Sequence, residues 1–211
     1  MTTPKGLLVL GFGGHARAVA DVALACGIEA LVFFDVNARD GEDFVGHPVV
    51  GALPSSLDAG WACMPASGDA ATRRRQILDA DRLGWPVATL LAPTATLGVG
   101  ASVARGSFVG HHAHVGPMTR VGEGCIINTA AVVEHECTVG DYAHVSVNAT
   151  IAGRSRVGDR VFVGAAACVI DGIAICDDVV LAASAVACRS IDLPGVYVGV
   201  PARRLTEGSG T

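Results

Sequence analysis

The most constraining feature of this chain is a period of six. Stepping by six from Leu91 gives Leu97, Val103, Val109, Val115, Val121, Ile127, Val133, Val139, Val145, Ile151, Val157, Val163, Val169, Ile175 and Leu181, all Leu, Ile or Val. Four residues after each lies a second series that carries no charge and is mostly small, with Ser107, Ala113, Thr119, Cys125, Ala131, Cys137 and Ala143 among its members. Six fits neither the 3.6 period of a helix nor the alternation of an isolated strand. It fits short strands joined by corners, each sending one large and one small side chain inward. A single such coil cannot bury its own core, so stability comes from stacking on its neighbours. Glycine often follows the aliphatic position, as at Gly98, Gly110, Gly116, Gly122, Gly140, Gly158 and Gly164. A corner conformation without Cβ strain is the expected reason.

This register places several reactive-looking side chains. Cys125 and Cys137 fall in the small inward series and read as core fillers. His111, His112 and His114 occupy corner or outward positions, where polar residues are expected and a metal site is not.

Before the repeat, Leu7 to Leu10 is a short apolar run followed by Gly11-Phe12-Gly13-Gly14-His15-Ala16 and a helix-forming stretch to Cys26. That order reads as strand, glycine turn, helix. Gly11, Gly13 and Ala16 satisfy G-x-G-x-x-G/A, so amides at the helix start can cradle a phosphate, or the glycines merely permit a tight turn. A second strand, Ala30 to Phe34, ends at Asp35, where an acidic side chain can accept from a ribose or a base. Trp61 to Pro65 and Pro86 to Leu91 read as further strands, with a helix from about Ala70 to Leu83 between them. About 90 residues precede the repeat, enough for one mononucleotide-binding half and too few for a dinucleotide oxidoreductase. The expected organisation is an α/β domain with a small parallel sheet over 1–90, a β-helix over 91–187 and a tail over 188–211.

Composition narrows the function. The 211 residues carry 15 Lys and Arg against 20 Asp and Glu, a formal charge of −5, with no basic block to neutralise a row of phosphates. Nucleic acid is not an expected partner. Seven cysteines without C-x-x-C spacing, no signal peptide and no stretch long enough to span a bilayer point to a reduced, cytoplasmic setting.

Within the repeat, Asn128 and Glu134 replace small corner residues, and His135 and Glu136 follow directly. His144 comes nine residues later. A histidine beside a carboxylate can serve as a general base near neutral pH, or it can be an ordinary solvated corner residue.

The chain resembles the hexapeptide-repeat acyltransferases, and more closely the nucleotide-sugar acetyltransferases related to the sialic acid O-acetyltransferases and to the N-acetyltransferases of UDP-4-amino-4,6-dideoxy sugars on the route to bacillosamine. The likeness rests on Gly13 to His15, Asp35, Gly68-Asp69 with Arg73 and Arg74, Val133-Glu134-His135-Glu136-Cys137, His144-Val145-Ser146-Val147 and Val198-Gly199-Val200-Pro201-Ala202-Arg203. The resemblance implies a left-handed parallel β-helix and direct transfer from acetyl-CoA, without a metal. It implies His135 as the base, Glu136 as its support, and His144 as a contact to acetyl-CoA. It also implies that the Gly153 amide, one coil above His135, faces the oxyanion, that Ala165 and Ala183 line the pantetheine groove, and that Arg203 reaches the CoA phosphate.

Gly13, Gly14, His15, Asp35, Val36, Gly68 and Asn128 are implied on the substrate side, and the assembly as a homotrimer with its active site between subunits. Ala16 stands where many relatives carry glycine, and Val36 where many carry a second acid. Uridine is the implied base, with guanosine as the alternative. Three other readings stay open: a sugar O-acetyltransferase, a three-histidine zinc carbonic anhydrase, and a nucleotide-binding subunit without catalysis.

Overall fold

The computed structural model describes residues 3–205. The chain forms two compact units, Met1–Pro93 and Thr94–Thr211.

The first unit is a five-stranded sheet built from β1 (Gly6–Leu10), β2 (Ala30–Phe34), β3 (Asp43–Phe44), β4 (His47–Val50) and β5 (Trp61–Pro65), with helices α1 (Gly14–Ala25) and α2 (Ala70–Arg82). The strand order is β3-β4-β2-β1-β5, with β1 lying between β2 and β5 and parallel to both. Every residue of β1 is buried, as an interior parallel strand covered on both faces requires. The β3-β4 hairpin turns at Val45 and Gly46, both at positive φ, and the Gly46 amide donates to Asp43 Oδ1 at 2.8 Å.

One expected strand is not formed. Instead of running from Pro86 to Leu91, the chain makes a single bridge, Cys63 to Val87, with a separate two-residue strand at Leu90–Leu91. The Cys63 amide donates to Pro86 O and the Ala88 amide to Cys63 O, both at 2.8 Å. Pro86 has no N–H to offer, so the ladder on the edge of β5 has no donor before Val87.

The second unit is a parallel β-solenoid with three faces. Strands such as His114–Val115, Val132–Val133 and Thr150–Ile151 stack on one face. Arg120–Val121, Thr138–Val139 and Arg156–Val157 stack on the second, and Ile126–Ile127, His144–Val145 and Phe162–Val163 on the third. Each strand pairs with the one eighteen residues on, in register, as in His114 with Val132. From Val109 to Leu181 the aliphatic series fills the interior, with Val109, Val115, Val133 and Ile151 fully inaccessible. Leu97, in the first coil, is 42% exposed.

Polar members of the small inward series are satisfied in a repeating way. Ser107 Oγ donates to Gly122 O at 2.8 Å and accepts from the Cys125 amide at 2.9 Å. Cys125 and Cys137 are the core fillers their register demands, and their thiols donate to Gly140 O and Ala152 O. Burial pushes the Cys137 thiol up from its ordinary value.

The corner glycines have a different cause from the expected one. Positive φ recurs every sixth residue from Gly100 to Ser184, two positions beyond these glycines, and is borne mostly by residues such as Met118, Glu136 and Arg154. The glycines after the aliphatic position are needed for close approach. A Cβ at Gly116 would stand 2.6 Å from the His135 amide nitrogen, and one at Gly164 would stand 2.5 Å from that of Ala183. The next coil's backbone occupies the space.

Candidate active site

The first unit carries a cleft of about 690 Å³ at the carboxyl ends of β1, β2 and β5, where open parallel sheets bind ligands. Gly11, at φ +117°, turns the chain out of β1 and needs glycine for that reason. Gly13 is the N-cap of α1 and offers no capping side chain to the first turn, which also holds no acidic residue. A Cβ at Gly13, Gly14 or Gly68 would meet nothing within 4 Å. The helix start therefore opens into the cleft without a capping side chain in front of it, a setting suited to phosphate oxygens.

Gly13, Gly14, His15, Asp35, Val36 and Gly68 all line this cleft. Asp35 is already engaged by its own surroundings: Oδ2 accepts from the Phe12 amide at 3.2 Å, and Oδ1 from the Asn37 amide at 2.9 Å. Val36 is 75% exposed. The buried Arg73 donates through Nη1 to Ser67 O at 3.0 Å and to Gly68 O at 2.8 Å, holding the loop that forms one wall.

Sequence reasoning missed the wall contributed by α2. Thr72, Arg75, Gln76 and Asp79 line the cleft, while Arg73, Ile77 and Ala80 face the core. Spacings of three, four and seven put those four polar residues on one helix face, a signal available in the sequence.

In the second unit, His135 sits on the corner between the first and second faces. Its Nδ1 lies 3.0 Å from Glu136 Oε2. Glu136 holds the positive φ of that corner, +59°. Glu134 Oε2 accepts from the His135 amide at 3.3 Å, and His135 O accepts from the Arg154 amide at 2.9 Å. The ring is 42% exposed. One coil on, a Cβ at Gly153 would stand 2.6 Å from both Cε1 and Nε2 of His135. Nε2 therefore faces a notch that only glycine leaves open. A ring held at Nδ1 by a carboxylate, with Nε2 free to meet a proton, has the arrangement of a general base.

His144 is placed differently. It projects from the third face, packs edge-on to Phe162 with centroids 4.9 Å apart, and has Asn128 Nδ2 at 3.4 Å from Nε2. The structure thus brings Asn128 and His144 together, while His135 lies half a coil from His144, on the far side of the solenoid's cross-section. Ala165 and Ala183 stack on the corner between the third and first faces, where Ala165 O accepts from the Ser184 amide at 2.8 Å. Arg203 lies in a strand that pairs antiparallel with Gly195–Val198, beside a cleft of about 230 Å³ that it shares with Cys188, Arg189, Tyr197 and Arg204. Among the described residues, no three His, Cys, Asp or Glu side chains are grouped to hold a metal ion, and no helix is long and apolar enough to cross a membrane.

Residues 6–79 match the PglD N-terminal domain family. Among solved structures, the acetyltransferase domain of PglB from Neisseria gonorrhoeae FA1090, in complex with acetyl coenzyme A, is 32% identical with a TM-score of 0.89, over 96% of this chain and 100% of that one. A histidine-to-alanine mutant of GDP-perosamine N-acetyl transferase from Caulobacter crescentus, in complex with CoA and GDP-perosamine, is 30% identical with a TM-score of 0.90, over 96% of this chain and 97% of that one. With the same two-part architecture matched along nearly its whole length at this identity, the chain belongs to the hexapeptide-repeat nucleotide-sugar N-acetyltransferases, which are acetyl-CoA-dependent acyltransferases.

Proposed function

We propose that this protein transfers the acetyl group of acetyl-CoA to the 4-amino group of a nucleotide-linked 4-amino-4,6-dideoxy sugar, with His135 as general base. The observation that carries the proposal is the His135–Glu136 pair at 3.0 Å, with Nε2 facing the notch at Gly153. His135 takes a proton from the attacking amine, a contribution of about 10² to 10⁴ in rate for a positioned base. Glu136 orients the ring. The Gly153 amide donates to the oxyanion of the tetrahedral intermediate, where one such donor is worth about 10² to 10³ in kcat. No acyl-enzyme is needed.

The cleft of the first unit takes the nucleotide. Gly13, Gly14 and His15 hold the diphosphate, Asp35 and Val36 border the base, and Gly68 borders the sugar. The nucleotide is UDP in this reading, as the resemblance to the UDP-sugar enzymes implies, with GDP the alternative. In the second unit, His144, Ala165, Ala183 and Arg203 serve acetyl-CoA, and Asn128 borders the substrate beside His144. His135 and the Ala165–Ala183 stack stand on different corners of one solenoid. That placement supports a homotrimer, in which one copy's base meets the CoA groove of the next. The working compartment is the cytoplasm, where nucleotide sugars and acetyl-CoA are both made.

The test is thiol release from acetyl-CoA with UDP- and GDP-linked 4-amino-6-deoxy sugars, their 4-hydroxy counterparts and sialic acid as acceptors. Turnover with an amino sugar, reduced at least about 100-fold in His135→Ala, is the expected result. Turnover only with hydroxyl acceptors would replace N-acetylation by O-acetylation. Sedimentation of the purified protein tests the trimer.

A further inference from the structure

The notch beside His135 has a second wall. The point that a Cβ on Gly153 would occupy lies 2.6 Å from His135 Nε2 and 3.2 Å from Asp171 Oδ1. Asp171 stands one coil above Gly153, as Gly153 stands one coil above His135. Its other oxygen, Oδ2, accepts from Arg154 Nη2 at 2.6 Å. The ion pair fixes the carboxylate at Oδ2 and leaves Oδ1 toward the notch. Glu136 lies against Nδ1 of the imidazole and Glu134 against its backbone amide. Asp171 Oδ1 is thus the carboxylate oxygen that borders the notch Nε2 faces, while Glu136 and Glu134 add negative charge at the ring's Nδ1 and the backbone amide of the same residue.

We propose that Asp171 is a specificity-determining residue that selects a cationic amine over a hydroxyl acceptor, its Oδ1 receiving the ammonium of the incoming sugar beside His135 Nε2. This rests on the reading of His135 as the base. A primary amine is largely protonated near neutral pH, whereas a hydroxyl at the same carbon is neutral. An ammonium bound to a carboxylate makes a charge-assisted hydrogen bond about twice as strong as the neutral one a hydroxyl makes. The notch thus prefers the amine before chemistry begins.

The reaction then balances. His135 takes one proton of the ammonium and frees the nitrogen lone pair, and the C–N bond forms at the thioester carbonyl carbon. The nitrogen loses a second proton to solvent as the C–S bond breaks. The departing thiolate takes the proton held by His135. An amide, a free thiol and one proton are produced.

The test is calorimetric binding, with CoA present, of UDP- and GDP-linked 4-amino-6-deoxy sugars against their 4-hydroxy counterparts. The expected preference of the parent protein for the amine is about fivefold or more. Asp171→Asn should abolish it by weakening the amine alone. Arg154→Gln breaks the same ion pair but keeps the carboxylate, and should retain the preference, so a merely structural role for the pair is separated from charge recognition. An unchanged preference in Asp171→Asn, or a parent protein that acetylates the amine while binding both sugars equally, overturns the proposal. If the preference vanishes in Asp171→Asn although no amino sugar is turned over, the amine site stands and the proposed reaction fails.

Discussion

The Thr119 hydroxyl donates to the carbonyl of Glu134 at 2.6 Å and ties the corner bearing His135 to the coil before it. The same oxygen accepts from the Cys137 amide at 3.1 Å, so it grips both ends of the segment that contains His135 and Glu136. Thr119 is fully buried. Removing its hydroxyl leaves a buried carbonyl and a buried amide without that partner, a cost of about 1–3 kcal/mol. Ser107 makes the same two bonds at a corner that holds no candidate catalytic residue. Thr119→Val and Ser107→Ala should therefore lower the urea midpoint alike. Only Thr119→Val should lower kcat, by about tenfold, since a small misplacement of a positioned base is felt in rate. Equal kcat values in the two variants would leave Thr119 a purely structural residue.

Gly153→Ala tests the notch directly. Gly153 needs no positive φ, so the backbone tolerates alanine, but the new methyl would stand 2.6 Å from His135 Nε2 and Cε1. The imidazole must swing away from its pairing with Glu136. The expected outcome is a fall in kcat of about 100-fold or more, with the far-ultraviolet spectrum of the solenoid unchanged. A variant with parental kcat would show that Nε2 does not work through this notch.

The solenoid was legible because its period is enforced by side-chain size at every sixth position, and a repeat of that kind admits one architecture. What the corner glycines do was not legible. A Cβ at Gly116 would collide with the backbone at His135, nineteen residues on, and a local reading of Gly116 contains no trace of that neighbour. The place of Gly153 one coil from His135 follows from the eighteen-residue period, whereas the oxygen that Asp171 turns to the notch depends on which one Arg154 occupies, and no local pattern carries that. In the first unit the glycine turn and Asp35 were readable from motif spacing. Thr72, Gln76 and Asp79 of the α2 wall follow helical spacing, but polar residues at that spacing mark a solvated helix face as readily as a ligand wall. Pro86 to Leu91 has the apolar content of a strand, yet it meets β5 only at the Val87 bridge and forms a separate strand at Leu90–Leu91, a break that apolar content does not reveal.

The α2 wall should respond to acid in a defined way. Asp69 caps the helix, accepting from the Thr72 amide at 2.8 Å. Hydrogen bonds from the Thr72 side chain, then from its amide, hold the Asp69 carboxyl below the usual carboxylate range. A carboxyl depressed in the folded state binds its proton more readily when unfolded. Its stabilisation is complete above the unfolded value of about 4 and is lost as pH falls through the lower folded value. Asp69→Asn keeps a capping oxygen without the titration, so it should lose less stability between pH 5 and pH 3 than the parent protein in urea melts. Asp69→Ala should cost about 0.5–2 kcal/mol at pH 7. Parallel pH profiles for the parent and Asp69→Asn would remove the cap from the acid response.

Gln76 is the residue of the α2 wall with the most direct expected effect on binding. Its Nε2 donates to Leu10 O at 2.7 Å at the end of β1, which fixes the orientation of the carboxamide. Its Oε1 is buried and has no hydrogen-bond partner among the described residues, beside the cleft proposed to hold the nucleotide. A buried acceptor left unmade costs about 1–3 kcal/mol, so a ligand donor that reaches it is favoured. A nucleoside offers such donors in its ribose hydroxyls and in the N–H groups of uracil or guanine. Gln76→Met keeps the bulk and removes both amide functions. Binding of UDP or GDP, followed by calorimetry, should weaken by about 3- to 10-fold, while the KM for acetyl-CoA stays at the parent value. Unchanged nucleotide affinity would mean that Oε1 is satisfied without the ligand and that α2 contributes shape alone to the cleft.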